Sequence, residues 1–372
     1  MASADVMNLA APLSSSAPSA SNLNGTQTVE PQPAISLPDN TDAETSSSSP
    51  LTGIPRTVYD EMPSSFYFGS SGYENIMVNA QGLKLRRYFW PAATPKCVLC
   101  FVHGHGSHTF FELLKGTGAG KPLSYEGSWV QEMNAQGVSV AAIDHQGCGR
   151  SEGLHGLRFY VESFDHYVDD VLQLSQTLPA SFSINNNGAE ALPVFISGIS
   201  LGGCIAFTAA RRKPELFSGT VLLAPMLSLK RVARQGLNPY LRPLSAVLSI
   251  IAPSAAVVAT DKNVLYPEIQ ALWDADPLAM HCKTRVRNAN EYLRATEVAM
   301  TSLDSIDFPF LVFHSENDTM CDCDGSKSLY LKAKSEDKTL RLVNHMWHVL
   351  PKEPYNERLL NEMIEWMVKR AE

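Results

Sequence analysis

The chain has 372 residues, 44% of them hydrophobic and 18% charged, enough to bury a sizeable core in one large domain or two of ordinary size. Its formal net charge is −8 at pH 7 and no basic block occurs, which argues against nucleic acid as a partner. Seven cysteines (Cys97, Cys100, Cys148, Cys204, Cys282, Cys321 and Cys323) are scattered along a chain with no evident secretory leader, so free thiols in a reducing cytoplasm are expected.

Residues 1–55 are rich in Ser, Ala, Pro, Asn and Thr, and they show neither helical nor strand period. Such a segment buries too little apolar surface to offset its ordering entropy and reads as a disordered tail ahead of a 56–372 domain. It holds no Lys or Arg and several carboxylates, which argues against secretory and mitochondrial signals and leaves a plastid address open. From Tyr73 the texture changes. Asn75 to Asn79 and Leu83 to Trp90 read as strands joined by a turn at Ala80-Gln81-Gly82. Cys97 to Val102 is a continuous apolar run, the form of a strand buried on both faces of a parallel sheet. Cys97 and Cys100, three apart on that strand, would point to opposite faces, which disfavours a shared metal or redox role.

That run ends in His103-Gly104-His105-Gly106. Val138 to Ile143 ends in Asp144-His145-Gln146-Gly147-Cys148-Gly149-Arg150-Ser151, and Phe164 to Leu178 carries a helical pattern through Val168, Val171, Leu172 and Leu174. Further strands are expected at Val194 to Ser197, Thr220 to Leu223, Phe310 to Phe313 and Leu340 to Val343. Strands alternating with helices predict an α/β fold with a mostly parallel, doubly wound sheet. The segment from about 226 to 300 breaks the rhythm and reads as a helical cap inserted after the sixth strand. Its apolar stretch Pro243 to Ala259 is short and proline-broken for a membrane span, so its apolar face is expected to meet the core or a lipid substrate.

The chemistry-bearing stretch is Gly198-Ile199-Ser200-Leu201-Gly202, placed between an apolar strand and a small-residue helical run. That is the sequence form of a nucleophile elbow, with Ser200 on a strained strand-to-helix turn. A serine hydroxyl needs a base to take its proton and an acid to orient that base, in the chain order Ser, Asp or Glu, His. His314-Ser315-Glu316-Asn317-Asp318 follows a strand end and offers Asp318 as the acid, with Glu316, Asp322 and Asp324 as nearby rivals. His345 and His348 follow the last strand, and position alone allows either as base. The oxyanion donors would be the backbone N–H groups of Leu201 and His105. Because glycine-bracketed donors account for the loop of His103, His105 and His108, no metal and no cofactor are expected there.

These residues resemble the monoacylglycerol lipase family of α/β-hydrolases, which includes lysophospholipase-like and plant caffeoylshikimate esterase-like members. The resemblance rests on His103-Gly104-His105-Gly106, Asp144 through Gly153, the elbow, Asp276-Pro277-Leu278, the Ser315 to Asp322 loop and His348-Val349-Leu350, and it spans roughly Tyr73 to Met367. It implies a serine hydrolase that cleaves one fatty acyl ester of a monoacylglycerol or lysophospholipid through an acyl-enzyme, without cofactor. It also implies an amphipathic cap that can touch membranes. Carried over by position, Ser200 is the nucleophile, Asp318 the acid and His348 the base, with His105 and Leu201 as oxyanion donors. Family members acting on monoacylglycerol carry a Glu and an Arg after His-Gly-x-Gly and a second His after the catalytic one. Here those positions hold Ser107, Phe111 and Pro351, a departure that bears on the alcohol half of the substrate. Three readings compete with the lipase: an esterase on another small acyl ester, acyl transfer to an alcohol other than water, and a catalytically silent binding protein. The complete set of Ser200, Asp318 and His348 argues against the last.

Overall fold

The computed structural model describes residues 7–8, 57–183, 191–231, 247–259 and 261–372. Apart from Met7 and Asn8, the residues read as a tail lie outside the described ones up to residue 56, as does the start of the Pro243 to Ala259 stretch. Strands β2 (Tyr73–Val78), β3 (Lys84–Trp90), β4 (Cys97–Val102), β5 (Val138–Ile143), β6 (Val194–Ile199), β7 (Gly219–Leu223), β10 (Phe310–Ser315) and β11 (Lys338–Val343) lie in one nine-stranded sheet. Its order is β1-β11-β10-β7-β6-β4-β5-β3-β2, where β1 (Met7–Asn8) pairs antiparallel with β11 at Leu342 and Arg341. The six strands from β11 to β5 run parallel, and β3 and β2 close that edge antiparallel. The doubly wound, mostly parallel sheet expected from the alternating pattern is present.

The continuous apolar strands are buried on both faces, as their composition demands. Every residue of β4 is inaccessible to solvent, and its side chains divide between two cores. Val98, Cys100 and Val102 join the core beneath helices α4 (Phe164–Ser183) and α5 (Leu201–Arg212). Cys97, Leu99 and Phe101 join the core beneath α3 (Trp129–Ala135) and the terminal helix α9 (Asn356–Ala371). Cys97 and Cys100 therefore do face opposite sides. All seven cysteines are free, and burial pushes both of these thiols up to about 12.

Strand order reverses at β4, which has β5 on one side and β6 on the other. The loops after β4 and β6 therefore part above the sheet's carboxyl edge and open a crevice, where ligands bind in open α/β sheets. Between β7 and β10 lie a helical turn at 247–251, the hairpin of β8 (Ala256–Val258) with β9 (Thr284–Arg285), and helices α6 (Pro267–Ala275) and α7 (Val286–Ala299). Among the described residues no helix is long and apolar enough to cross a membrane.

Candidate active site

Ser200 is the residue between β6 and α5, with φ 56° and ψ −119°, a left-handed conformation that an L-residue holds only under strain. The flanking glycines are required by close approach. A Cβ at Gly198 would sit 2.2 Å from the Gly202 carbonyl oxygen, and one at Gly202 would sit 2.1 Å from that of Val102. The turn is pinned by its backbone: Ser200 N–H donates to the Leu223 carbonyl at 3.0 Å, and the Ser200 carbonyl accepts from Met226 N–H at 2.8 Å. Its side chain is thereby delivered to a cavity of about 600 Å³ that is also lined by His105, Glu112, Trp273, Trp347 and His348.

Asp318 and His348, brought from the loops after β10 and β11, meet across a 2.7 Å contact between Asp318 Oδ2 and His348 Nδ1. The Asp318 side chain is wholly buried, and its other oxygen accepts the N–H groups of Met320 at 2.8 Å and Cys321 at 2.9 Å. Facing a carboxylate, His348 carries its proton on Nδ1 and leaves the Nε2 lone pair free. Burial alone would lower the His348 pKa, but Asp318, through charge and hydrogen bond, carries it above the ordinary value, with Glu353 and Glu112 adding to the effect. For Asp318 burial would raise the pKa, and His348 together with His314 instead holds the carboxyl well below the usual range.

The rivals for these roles are placed elsewhere. Glu316 pairs with Lys327 at 2.8 Å on the surface. Asp322 precedes α8 (Cys323–Lys332) and accepts Ser228 Oγ and Arg231 N–H at 3.0 and 2.8 Å, and Asp324 lies within that helix. The His345 ring lies against Tyr355, 6.2 Å between centroids, rather than against Asp318.

One expected contact is absent. Ser200 Oγ has turned to Cys321 Sγ, 3.9 Å away, and among the described residues it makes no hydrogen bond to His348. Catalytic hydrogen bonds are often loose until substrate is bound. Burial keeps the Cys321 thiol protonated by raising its pKa far above the ordinary value, a shift that Asp318 reinforces.

Among the described residues no acceptor takes the backbone N–H of Leu201 or of His105, so both amides beside Ser200 are available to a ligand. The His105 ring is held at both nitrogens, Nε2 to Thr284 Oγ1 and Nδ1 to the Tyr292 hydroxyl, each at 2.9 Å. Burial, aided by His103, lowers its pKa to about 4 and keeps it neutral. His103 Nε2 accepts His145 N–H at 3.0 Å, and His108 Nε2 meets Asp276 Oδ2 at 3.1 Å. The three histidines are thus committed separately, and no group of three or more metal-binding side chains occurs among the described residues.

Three supporting residues escaped the sequence reading. His314 Nε2 lies 3.2 Å from Asp318 Oδ2, while its Nδ1 contacts Ser326 Oγ at 2.7 Å. Glu353, fully buried, accepts three successive backbone N–H groups: Trp347 at 2.5 Å, His348 at 2.9 Å and Val349 at 2.7 Å. Glu112 is buried at the cavity beside Gly104. The proximity of His314 to Asp318 in sequence was the one signal available; nothing local marks the other two.

A mostly parallel sheet with a strained serine between β6 and α5 defines an α/β-hydrolase. Residues 117–355 match the serine aminopeptidase S33 hydrolase family, and the chain belongs to that family, among its monoacylglycerol lipase-like members. It is 30% identical over 303 residues to a monoglyceride lipase of Rattus norvegicus, covering 79% of this chain and 90% of that one. It is 27% identical over 302 residues to a monoacylglycerol lipase of Mycolicibacterium smegmatis, covering 80% and 98%. The fold is shared with a soluble variant of the monoglyceride lipase of Saccharomyces cerevisiae solved with a substrate analogue. There the TM-score is 0.65 at 17% identity, over 83% of this chain and 98% of that one.

Proposed function

We propose that this protein is a serine carboxylic-ester hydrolase that cleaves the fatty acyl ester of a monoacylglycerol-like substrate. The observation that carries this reading is the buried Asp318 to His348 contact of 2.7 Å opening onto the same cavity as the strained Ser200. In this mechanism Ser200 Oγ leaves the Cys321 thiol, gives its proton to His348 Nε2 and attacks the acyl carbonyl. The N–H groups of Leu201 and His105 take the oxyanion, each worth about 3 to 4 kcal/mol in a comparable hydrolase. The imidazolium, stabilised by Asp318, then protonates the departing alcohol. Water, activated by the same histidine, releases the fatty acid.

The segment between β7 and β10 is read as the cap over this crevice. Exposed apolar side chains there, with Ile250 74% and Val264 84% accessible, support contact with a lipid surface. Sequence similarity to monoglyceride lipases supports the acyl-glycerol substrate. A fluorescent fluorophosphonate should label the wild-type protein and not Ser200→Ala. The same substitution should lower kcat on a long-chain monoacylglycerol by about a million-fold, the loss seen when a serine hydrolase loses its nucleophile, at an unchanged Tm. Labelling or substantial turnover that survived in Ser200→Ala would refute the assignment.

A further inference from the structure

The geometry points to Glu112 as the residue that recognises the leaving alcohol: it accepts a hydrogen bond from a free hydroxyl near the ester oxygen and turns away alcohols that carry a phosphate. This rests on Ser200 being the nucleophile. Glu112 sits in the short helix α2 (Thr109–Leu113) that follows the His103 to Gly106 loop, and it is 4% exposed. Its Oε2 is buried without a hydrogen-bond partner, and so is the Ser107 hydroxyl, whose proximity still favours the charged form of the carboxylate. A carboxylate left in that condition lowers stability, since desolvation is not offset by pairing. Folding alone gives no reason for a glutamate at this position. A ligand that supplies a donor does.

The carboxylate is placed for such a ligand. Glu112 Oε1 and Ser200 Cβ both lie 3.5 Å from the point that a Cβ on Gly104 would occupy, so the two atoms are separated by at most twice that distance. Glu112 and His348 line the same cavity, and the remaining walls include the aromatic rings of Phe111, Trp273 and Trp347. Lys352, a lysine close enough to oppose the rise in the Glu112 pKa, makes its hydrogen bond elsewhere. Lys352 Nζ donates to the Leu114 carbonyl and lies 5.7 Å from the centre of the Phe111 ring. Burial raises the Glu112 pKa, and the Ser107 hydroxyl, Lys352, His108 and His348 oppose that rise without cancelling it.

The consequence is a chemical choice between substrates. A hydroxyl on a neutral polyol gives its proton to an acceptor that otherwise has none, a charge-assisted hydrogen bond. A phosphate ester in the same place would set one anion against another beside the buried Glu112 carboxylate. Ser107 and Phe111 lack the carboxylate and cation that monoacylglycerol-cleaving relatives are expected to carry at those positions. Glu112, within the same loop and helix, supplies an acceptor from a different position.

The test compares four substrates of one acyl chain: 1-monoacylglycerol, the methyl ester, lysophosphatidate and lysophosphatidylcholine. Each is assayed with full-length wild type, Glu112→Gln and Glu112→Ala, and fluorophosphonate labelling monitors the active serine. The ratio of kcat/KM for monoacylglycerol to that for methyl ester should fall about ten- to a hundred-fold in Glu112→Ala, the range for losing a hydrogen bond to a charged group. Glu112→Gln keeps an accepting oxygen without the charge. It should retain part of that ratio and raise lysophosphatidate hydrolysis relative to monoacylglycerol.

If Glu112 acted only by raising the His348 pKa, all four substrates would change together and the ratios would stay fixed; that result overturns the proposal. Wild-type protein that neither labels nor cleaves the methyl ester would instead defeat the serine-hydrolase reading beneath it. Should Glu112→Ala fold poorly, the isosteric Glu112→Gln decides through the lysophosphatidate ratio alone.

Discussion

At the scale of single residues, the proposed assignment of the base to His348 rather than His345 rests on His348 meeting the Asp318 carboxylate, while the His345 ring lies against Tyr355. His348→Ala should silence ester hydrolysis. His345→Ala should leave it nearly intact, since the His345 group that accepts a hydrogen bond is its backbone carbonyl, taken by the Tyr266 hydroxyl. The opposite pattern in steady-state assays would move the base to His345. Asp318→Asn is the sharper probe. It removes the charge that raises the His348 pKa and presents an amide that favours the wrong tautomer, so kcat should fall about ten-thousand-fold, as in a comparable triad. The base must be neutral to act, so activity rises with pH through the His348 pKa. In the residual activity of Asp318→Asn that rise should occur at lower pH than in the wild type. A pH–rate profile with an unmoved limb would show that Asp318 does not set the base.

At the scale of elements, the loop between β11 and α9 holds His348 through a contact made with its backbone. Three successive N–H groups converge on the buried Glu353 carboxylate, a geometry that charge assistance strengthens. Burial leaves the Glu353 pKa above its ordinary value, and these three donors oppose that rise. Glu353→Ala should loosen the base and cost about 10 to 100-fold in kcat with little change in KM, because a misplaced catalytic group weakens the transition state more than binding. Glu353→Gln, which keeps one accepting oxygen, should fall between. Equal losses in both variants, or a loss confined to KM, would rule out positioning. Sequence periodicity exposed the strands and the loops that end them, because a buried parallel strand must be apolar throughout and must stop where polar loop residues begin. Ser200 and Asp318 stood out as candidates for that reason, just past strand ends, whereas position left His345 and His348 both open as the base and only the family resemblance favoured His348. Glu353 did not stand out, since a glutamate between Lys352 and Pro354 looks like any surface residue until the fold buries it. Glu112 was hidden in the same way inside a five-residue apolar-looking helix, and the pairing of Met7 and Asn8 with β11 leaves no mark in so short a segment.

At the scale of the whole molecule, Asp276 ties together three distant parts of the chain beneath the crevice. Its carboxylate accepts the Tyr59 hydroxyl at 2.6 Å, His108 Nε2 at 3.1 Å and the Leu278 N–H at 2.8 Å. Those groups come from the segment before β2, the loop after β4 and the turn that follows α6. Burial opposes ionisation of Asp276, yet His108 and these donors hold its pKa down at about 2, while Asp276 raises that of the equally buried His108. A carboxyl with a lowered folded pKa contributes stability above its unfolded value, about 3.9, and loses it as pH falls toward 2. A histidine with a raised folded pKa contributes fully below about 6.5 and loses that contribution as pH climbs through the folded value. Both contributions are therefore complete between about pH 4 and 6.5 and fade on either side. Asp276→Asn breaks a buried pair and should cost about 3 to 5 kcal/mol inside that window. The difference in Tm between wild type and Asp276→Asn, followed from pH 3 to pH 9, cancels the titration of groups too distant to feel the change, including the Asp318 and His348 pair. It should be largest near the middle of the window and shrink on both sides. A difference that stayed flat across the range would mean that Tyr59, His108 and Asp276 are held together by neutral hydrogen bonds, with no ion pair at the root of the crevice.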